Sequence, residues 1–419
     1  MSGRLQDGTG LGALHRSLRR ITEALAVELG NPASATPAWT EFEWSIAPAV
    51  ASIHGVSPLL AESLRWQGPA QWHEFLRTQR EHTTLRHTRI LELLGKVHER
   101  AKSDGVALIA LKGAALHALG VYRPGERPMS DVDLLARDTE SAGHSLERLG
   151  YRWVMDTVKH SVWEPLSWTR PADLGEHRDN GIRIELHGRI LESLPLRNAD
   201  ISELMLPRTP QPGINEYPST AALLSHLLLH AAGAMALRSL RLLHLQDIAR
   251  VAARMRLTDW RELVAADGLD ERLWWAFPPL ALTARYFTAS IPKEVLTALE
   301  LSCPWTLRRY MQSHSLTDVS LSSLWVTAFP GIEWARSPGE VLEYVKLRVW
   351  PDRRIRQARE QLADMEPGIS GGEWQKLSQS QRVVRWVTSR PARTDTLSAI
   401  NAALARANGV LRTRSAVAH

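Results

Sequence analysis

Cysteine is nearly absent: Cys303 is the single one in 419 residues. No disulfide can close within the chain and no multi-cysteine zinc site can be built from it, which fits a reducing compartment and makes the cytoplasm the expected location. Long apolar runs are also lacking. The opening stretch "MSGRLQDGTGLGALHRSLRR" has no apolar core of the roughly seven or more residues that a signal peptide needs. The most apolar segment, "AALLSHLLLHAAGAMAL" at 221–237, carries His226, His230 and many small residues. It reads as a buried helix, so no membrane span is expected. No repeat of fixed period and no long low-complexity tract is visible.

What is present is an ordinary globular composition, 44% apolar, in a chain long enough for two or three domains with substantial cores. The formal charge of +6 is local. From Glu373 onward eight Lys or Arg residues stand against two acids, leaving the rest of the chain neutral. Such a basic end offers a surface to RNA, DNA or another anionic partner. No nucleic-acid motif or aromatic-interleaved groove accompanies it, so a solvated helix and tail is the preferred reading.

Helical periodicity fills the first hundred residues between the breaks "NPASATPAW", "GVSP" and "QGPAQW". A long helix with a stripe at Ile90, Leu93, Leu94, Val97 and Ala101 is expected to end at Gly105. The pattern then changes: "VALIALKG", "DVDLLA", "YRWVMD" and "IRIELHGRI" read as strands, separated by short helices. The fold class expected is α+β and helix-rich, with a small mixed sheet confined to about residues 106–190. The expected divisions are a helical region at 1–84, the α/β module at 85–195, a helical domain at 196–362 and a basic helix or tail at 363–419.

Within the module, alternation along a strand puts Asp131 and Asp133 on one face, with Val132 and Leu134 on the other. Two carboxylates so placed raise one another's pKa unless cations offset them. Magnesium, a hard ion with oxygen ligands, is the natural offset. Glu185 and His187 repeat the same spacing in "RIELHG" and supply a third carboxylate if the strands are neighbours. Upstream, "ALKGAAL" ends a strand at Gly113 and begins a helix, a geometry that receives phosphate. Lys112 is read either as a charge for a triphosphate or as a solvated strand-end lysine. Arg127 is read either as reaching a γ-phosphate or as pairing with Glu126 or Asp131. Taken alone, Asp-x-Asp also fits a solvated strand end or a local pair with Arg127 or Arg137. The order of the parts tips the reading toward a nucleotide site.

That order resembles the nucleotidyltransferase superfamily whose catalytic domain is like that of DNA polymerase beta. More closely, "LKGAALHALGVYRPGERPMSDVDLLARD", "LERLGYRW" and "IRIELHGRI" resemble the bacterial uncharacterised nucleotidyltransferases associated with natural-product and polysaccharide gene clusters. The resemblance implies a polymerase-beta-like module with Asp131, Asp133 and Glu185 as catalytic metal ligands for Mg²⁺ or Mn²⁺. It also implies that Lys112, Gly113, Ala114, Arg127, Ser130 and His187 lie at the nucleotide. The implied reaction is attack of an acceptor hydroxyl on the α-phosphorus of a nucleoside triphosphate, with AMP the favoured group transferred. Ala114 departs from the serine usual in the superfamily, and glutamate stands at 185 where aspartate is common.

Other residues are weighed as follows. His226 and His230, four apart on one helical face, lack the glutamate of a zinc-protease helix and read as core or hydrogen-bonded histidines. His230 and Asp247 are candidate lining residues by resemblance. His160 and His177 fall in a loop-like stretch with Trp163 and Trp168, which read as packing rather than base-stacking residues. The competing functions are a metal-dependent glycosyltransferase, which predicts a larger doubly wound domain before the motif, and a degenerate nucleotidyltransferase module serving as a binding protein.

Overall fold

The computed structural model describes residues 10–157, 159–167, 174–265, 273–288, 290–351, 377–388 and 391–417. Four helices come first: α1 (Leu11–Gly30), α2 (Glu41–Ile53), α3 (Ser57–Ser63) and α4 (Ala70–Asp104). Thr40 and Glu43 cap α2 reciprocally, satisfying two of its free N–H groups. As the stripe predicts, α4 ends where Gly105 adopts a left-handed φ of 72°, a conformation that costs glycine little. It delivers the chain to β1 (Ala107–Ala110), α5 (Lys112–Ala118), β2 (Asp131–Leu135), α6 (Thr139–Arg148) and β3 (Tyr151–Asp156).

The sheet is mixed and six-stranded, in the order β3-β4-β5-β2-β1-β8, with β4 at His160–Pro165, β5 at Arg183–His187 and β8 at Gly213–Asn215. Two features correct the expected limits. His160 lies on β4, paired between β3 and β5, and not in a loop. The sheet also extends past residue 190, because β8 pairs parallel with β1, Ala107 opposite Gly213. Three residues beginning with glycine carry no strand signal of their own, so pairing with β1 decides their conformation. A separate hairpin joins β6 (Leu191–Leu194) to β7 (Arg197–Asp200). A short helix, α7 (Ser202–Met205), follows it.

Alternation assigns the two faces of the sheet. Val132, Leu134, Ile184 and Leu186 join Ile90, Val97 and Ala101 of α4 and Ala142 and Leu146 of α6 in one apolar cluster. The acidic positions therefore face the other way. On that side a larger core runs from Leu14 to Leu404 and includes α8 (Thr220–Ala236) and α9 (Leu242–Ala252). Nearly every side of α8 is buried, His226 included, which is why its sequence approaches membrane hydropathy. Among the described residues no single helix is long and apolar enough to cross a membrane. Helices α2 and α3 satisfy that test only as a pair, bent by 113°.

Ile400, Ala403 and Leu404 of the C-terminal helix Thr394–Val417 belong to the larger core. Two arginines of the basic end also serve packing: Arg393 Nη1 donates to the Arg238 carbonyl at 2.9 Å, and Arg406 lies 5.6 Å over the Phe75 ring. Trp168, Lys376 and Arg390 fall outside the described residues.

Candidate active site

Parallel pairing of β2 with β5 sets Asp133 directly beside Glu185, and Leu135 beside His187. Paired residues on adjacent strands share a face about 4.8 Å apart. Asp131, Asp133 and Glu185 therefore line one cleft of about 330 Å³, together with Gly113, Ala114 and Ser130. Arg86 of α4 holds the approaches to both strands. Its guanidinium donates to the carbonyls of Met129 (2.8 Å) and Ser130 (2.7 Å) before β2, and to those of Asn180 (2.6 Å) and Gly181 (3.2 Å) before β5. One buried side chain thereby fixes the relative height of the two acidic strands.

Lys112 does not extend toward solvent. It sits at φ 45°, its side chain is 16% exposed, and its Nζ donates to Asp133 Oδ1 at 2.8 Å. The same oxygen lies 3.1 Å from His187 Nε2. Burial pushes Asp133 toward the neutral form, but Lys112 and His187 win and hold its carboxyl well below the usual range. Asp131 goes the other way, raised by burial and by the Asp133 charge. Glu185 is pushed up to about 8 by burial and by repulsion from Asp131 and Asp133. Three carboxylates share one interior ammonium, so the donor set suits a hard divalent cation.

Arg127 pairs with neither Glu126 nor Asp131. Its Nε and Nη2 donate to Asp247 Oδ1 and Oδ2 at 2.9 and 2.8 Å, and Tyr122 Oη donates to Asp247 Oδ1 at 2.7 Å. Asp247 is thus a structural anchor behind the cleft. A side chain at 113 would collide with Arg127 Nη1 and with Met129 Cγ, the latter at 2.9 Å, so glycine is needed there for close packing. Ala114 faces the apolar cluster with Met129 and Val132. Ala114 also lines the cleft, and its methyl group offers no hydroxyl there.

His230, a lining residue by resemblance, reaches the same cleft from α8, and Arg241 and His244, which nothing in the sequence singles out, reach it from the start of α9. No periodicity or spacing marks them, because α8 and α9 arrive from a hundred residues downstream. Arg241 is exposed, and its charge favours the ionised form of Asp131. His226 is held by Tyr217, whose Oη lies 2.7 Å from its Nδ1. Burial keeps His226, His230 and His244 neutral. His177 lies away from this face, its ring 4.5 Å from that of His82. Trp163 packs beneath the sheet against Gly143. A larger cavity of about 770 Å³ lies beyond Gly188, but arginines lining it are already paired, Arg137 with Glu203, Arg189 with Asp200 and Arg197 with Glu340.

The Glu185 environment predicts a pH effect. Its folded pKa of about 8 lies above the ordinary 4.5, so the folded state holds an extra proton in that window. Stability contributed by this proton is present below about pH 4.5 and is lost as pH rises toward 8. Glu185→Gln removes the titration. Relative to the native chain, the metal-free variant is expected to gain on the order of 2 kcal/mol between about pH 5 and pH 9, after discounting for partial solvation. Chelator-treated samples melted across that range test this; parallel stability profiles would contradict it.

A family model described as an uncharacterised nucleotidyltransferase matches residues 40–268. Comparison with curated proteins and with solved structures gives no significant match.

Proposed function

The chain belongs to the uncharacterised nucleotidyltransferase family and is a transferase of that type, and from that premise we propose that it moves a nucleoside monophosphate, AMP foremost, from a nucleoside triphosphate to a hydroxyl of a small molecule, peptide or protein. The observation that carries the reading is the register of β2 and β5, which brings Asp131, Asp133 and Glu185 to one cleft opposite the Gly113 backbone. A glycosyltransferase has no support from the family match. A degenerate binding module predicts loss of the acids, whereas all three are present.

In this reading the acceptor oxygen forms a bond to the α-phosphorus while the bond from that phosphorus to the bridging oxygen breaks, and pyrophosphate leaves. Asp131, Asp133 and Glu185 would hold Mg²⁺ or Mn²⁺, which would supply neutralisation of the triphosphate charge and a lowered pKa for the acceptor hydroxyl. Ionised Glu185 takes the acceptor proton, with His187 beside it to orient the group or relay that proton. Lys112 holds Asp133 in its charged, ligand-competent form instead of meeting phosphate. Among the described residues lining the cleft, the cation left to contact the triphosphate is Arg241, which is exposed there.

The test is incubation of the full chain with each α-labelled nucleoside triphosphate, with Mg²⁺ or Mn²⁺ and with a chelator control. Metal-dependent nucleotide binding and pyrophosphate release are expected. Arg241→Ala should weaken triphosphate binding about tenfold, an effect of about 1.4 kcal/mol, and monophosphate binding much less. If neither binding nor release occurs, and Asp131→Ala changes nothing, the reading fails.

A further inference from the structure

A second, smaller cavity of about 120 Å³ adjoins the cleft through Glu185, Lys112 and His230. Its lining differs in chemistry. His160 and His187 are direct register partners on β4 and β5, their rings 4.8 Å apart, and both border it. His160 Nε2 lies 3.5 Å from Glu185 Oε2, and His187 Nε2 lies 3.9 Å from the same oxygen. One ligand atom from each of the three residues falls within 4.8 Å of the others.

We propose that His160, His187 and Glu185 form a binding site for a divalent transition ion of the Zn²⁺ class, set beside the all-carboxylate position of Asp131 and Asp133 and sharing Glu185 with it. Two imidazoles and one carboxylate are a borderline donor set, matched to Zn²⁺ or Co²⁺ and poorly to Mg²⁺, which prefers oxygen and retains its waters. The two histidine-to-Glu185 separations, 3.5 and 3.9 Å, lie near the roughly 3 to 3.5 Å between donors on one tetrahedral ion with metal bonds of about 2.1 Å.

Two further points bear on the site. The ligands come from two paired strands, so the backbone holds them in place without an ion. His187 Nε2, which faces Asp133 Oδ1 at 3.1 Å, becomes a donor to the ion when its ring proton moves to Nδ1.

The inference deepens the reading of Glu185 as a metal ligand of a nucleotidyltransferase, and it is tested without nucleotide so that the two fail separately. The full chain, stripped with chelator, is titrated with Co²⁺ and followed by visible absorption. One equivalent is expected to give the bands of four- or five-coordinate Co²⁺, removed by Zn²⁺ and left unchanged by excess Mg²⁺. His160→Ala and His187→Ala should each weaken this binding at least about tenfold, and Asp131→Asn should alter it less than either. His160→Gln serves as the replacement if His160→Ala does not fold by circular dichroism. Survival of the bands in the variant lacking both histidines overturns the site. So does their equal loss in Asp131→Asn, which would assign the ion to the aspartate pair. These Co²⁺ bands, together with no pyrophosphate release in the separate nucleotide assay above, would leave this site standing and remove the proposed transfer of a nucleoside monophosphate.

Discussion

Asp133→Asn is expected to lower the kcat/KM of nucleotidyl transfer on the order of 10³-fold, about 4 kcal/mol of transition-state stabilisation, with the fold retained. Asp133 is the most engaged of the three acids, 6% exposed and within hydrogen-bond distance of both Lys112 Nζ and His187 Nε2. Asparagine keeps an oxygen for Lys112 but loses the charge that binds a cation, so chemistry suffers far more than packing. Initial rates of pyrophosphate release, paired with a thermal melt, separate these effects. Activity within tenfold of the native chain would remove Asp133 from the reaction.

Asp247→Ala is expected to cost about 3 to 5 kcal/mol of stability, the typical penalty for leaving a buried charge without its partner. The Arg127 and Asp247 side chains are 9% and 2% exposed, so water cannot replace the lost carboxylate. Tyr122 Oη loses its acceptor in the same step. The Arg127→Met, Asp247→Leu double variant should be more stable than Asp247→Ala, because it removes both charges. Urea denaturation of the three chains measures this. A midpoint for Asp247→Ala equal to that of the native chain would mean that Arg127 finds another partner.

Much of the site follows from local rules. Residues two apart on a strand share a face whatever the rest of the chain does, so the pairs Asp131/Asp133 and Glu185/His187 were readable in advance. The Gly105 stop of α4 was equally local. The neighbouring placement of β2 and β5 was implied only by resemblance, since no spacing rule specifies which strands pair. His160 reads as a loop residue because "HSVWEP" carries a proline and three polar residues, and only pairing on both edges makes it a strand.

The cations show where sequence reading stops. For Lys112 the sequence offered phosphate or solvent, and the structure supplies Asp133, 21 residues away. For Arg127 it offered phosphate, Glu126 or Asp131, and the structure supplies Asp247, 120 residues away. Arg241 gave no sign at all, because its meeting with the cleft depends on how α8 and α9 cross the sheet. The sequence by itself determined which side chains share a face, since backbone geometry sets that residue by residue. The tertiary structure alone decided which charge meets which, because a side chain's partner depends on the path of the whole chain and on which buried charges must be neutralised.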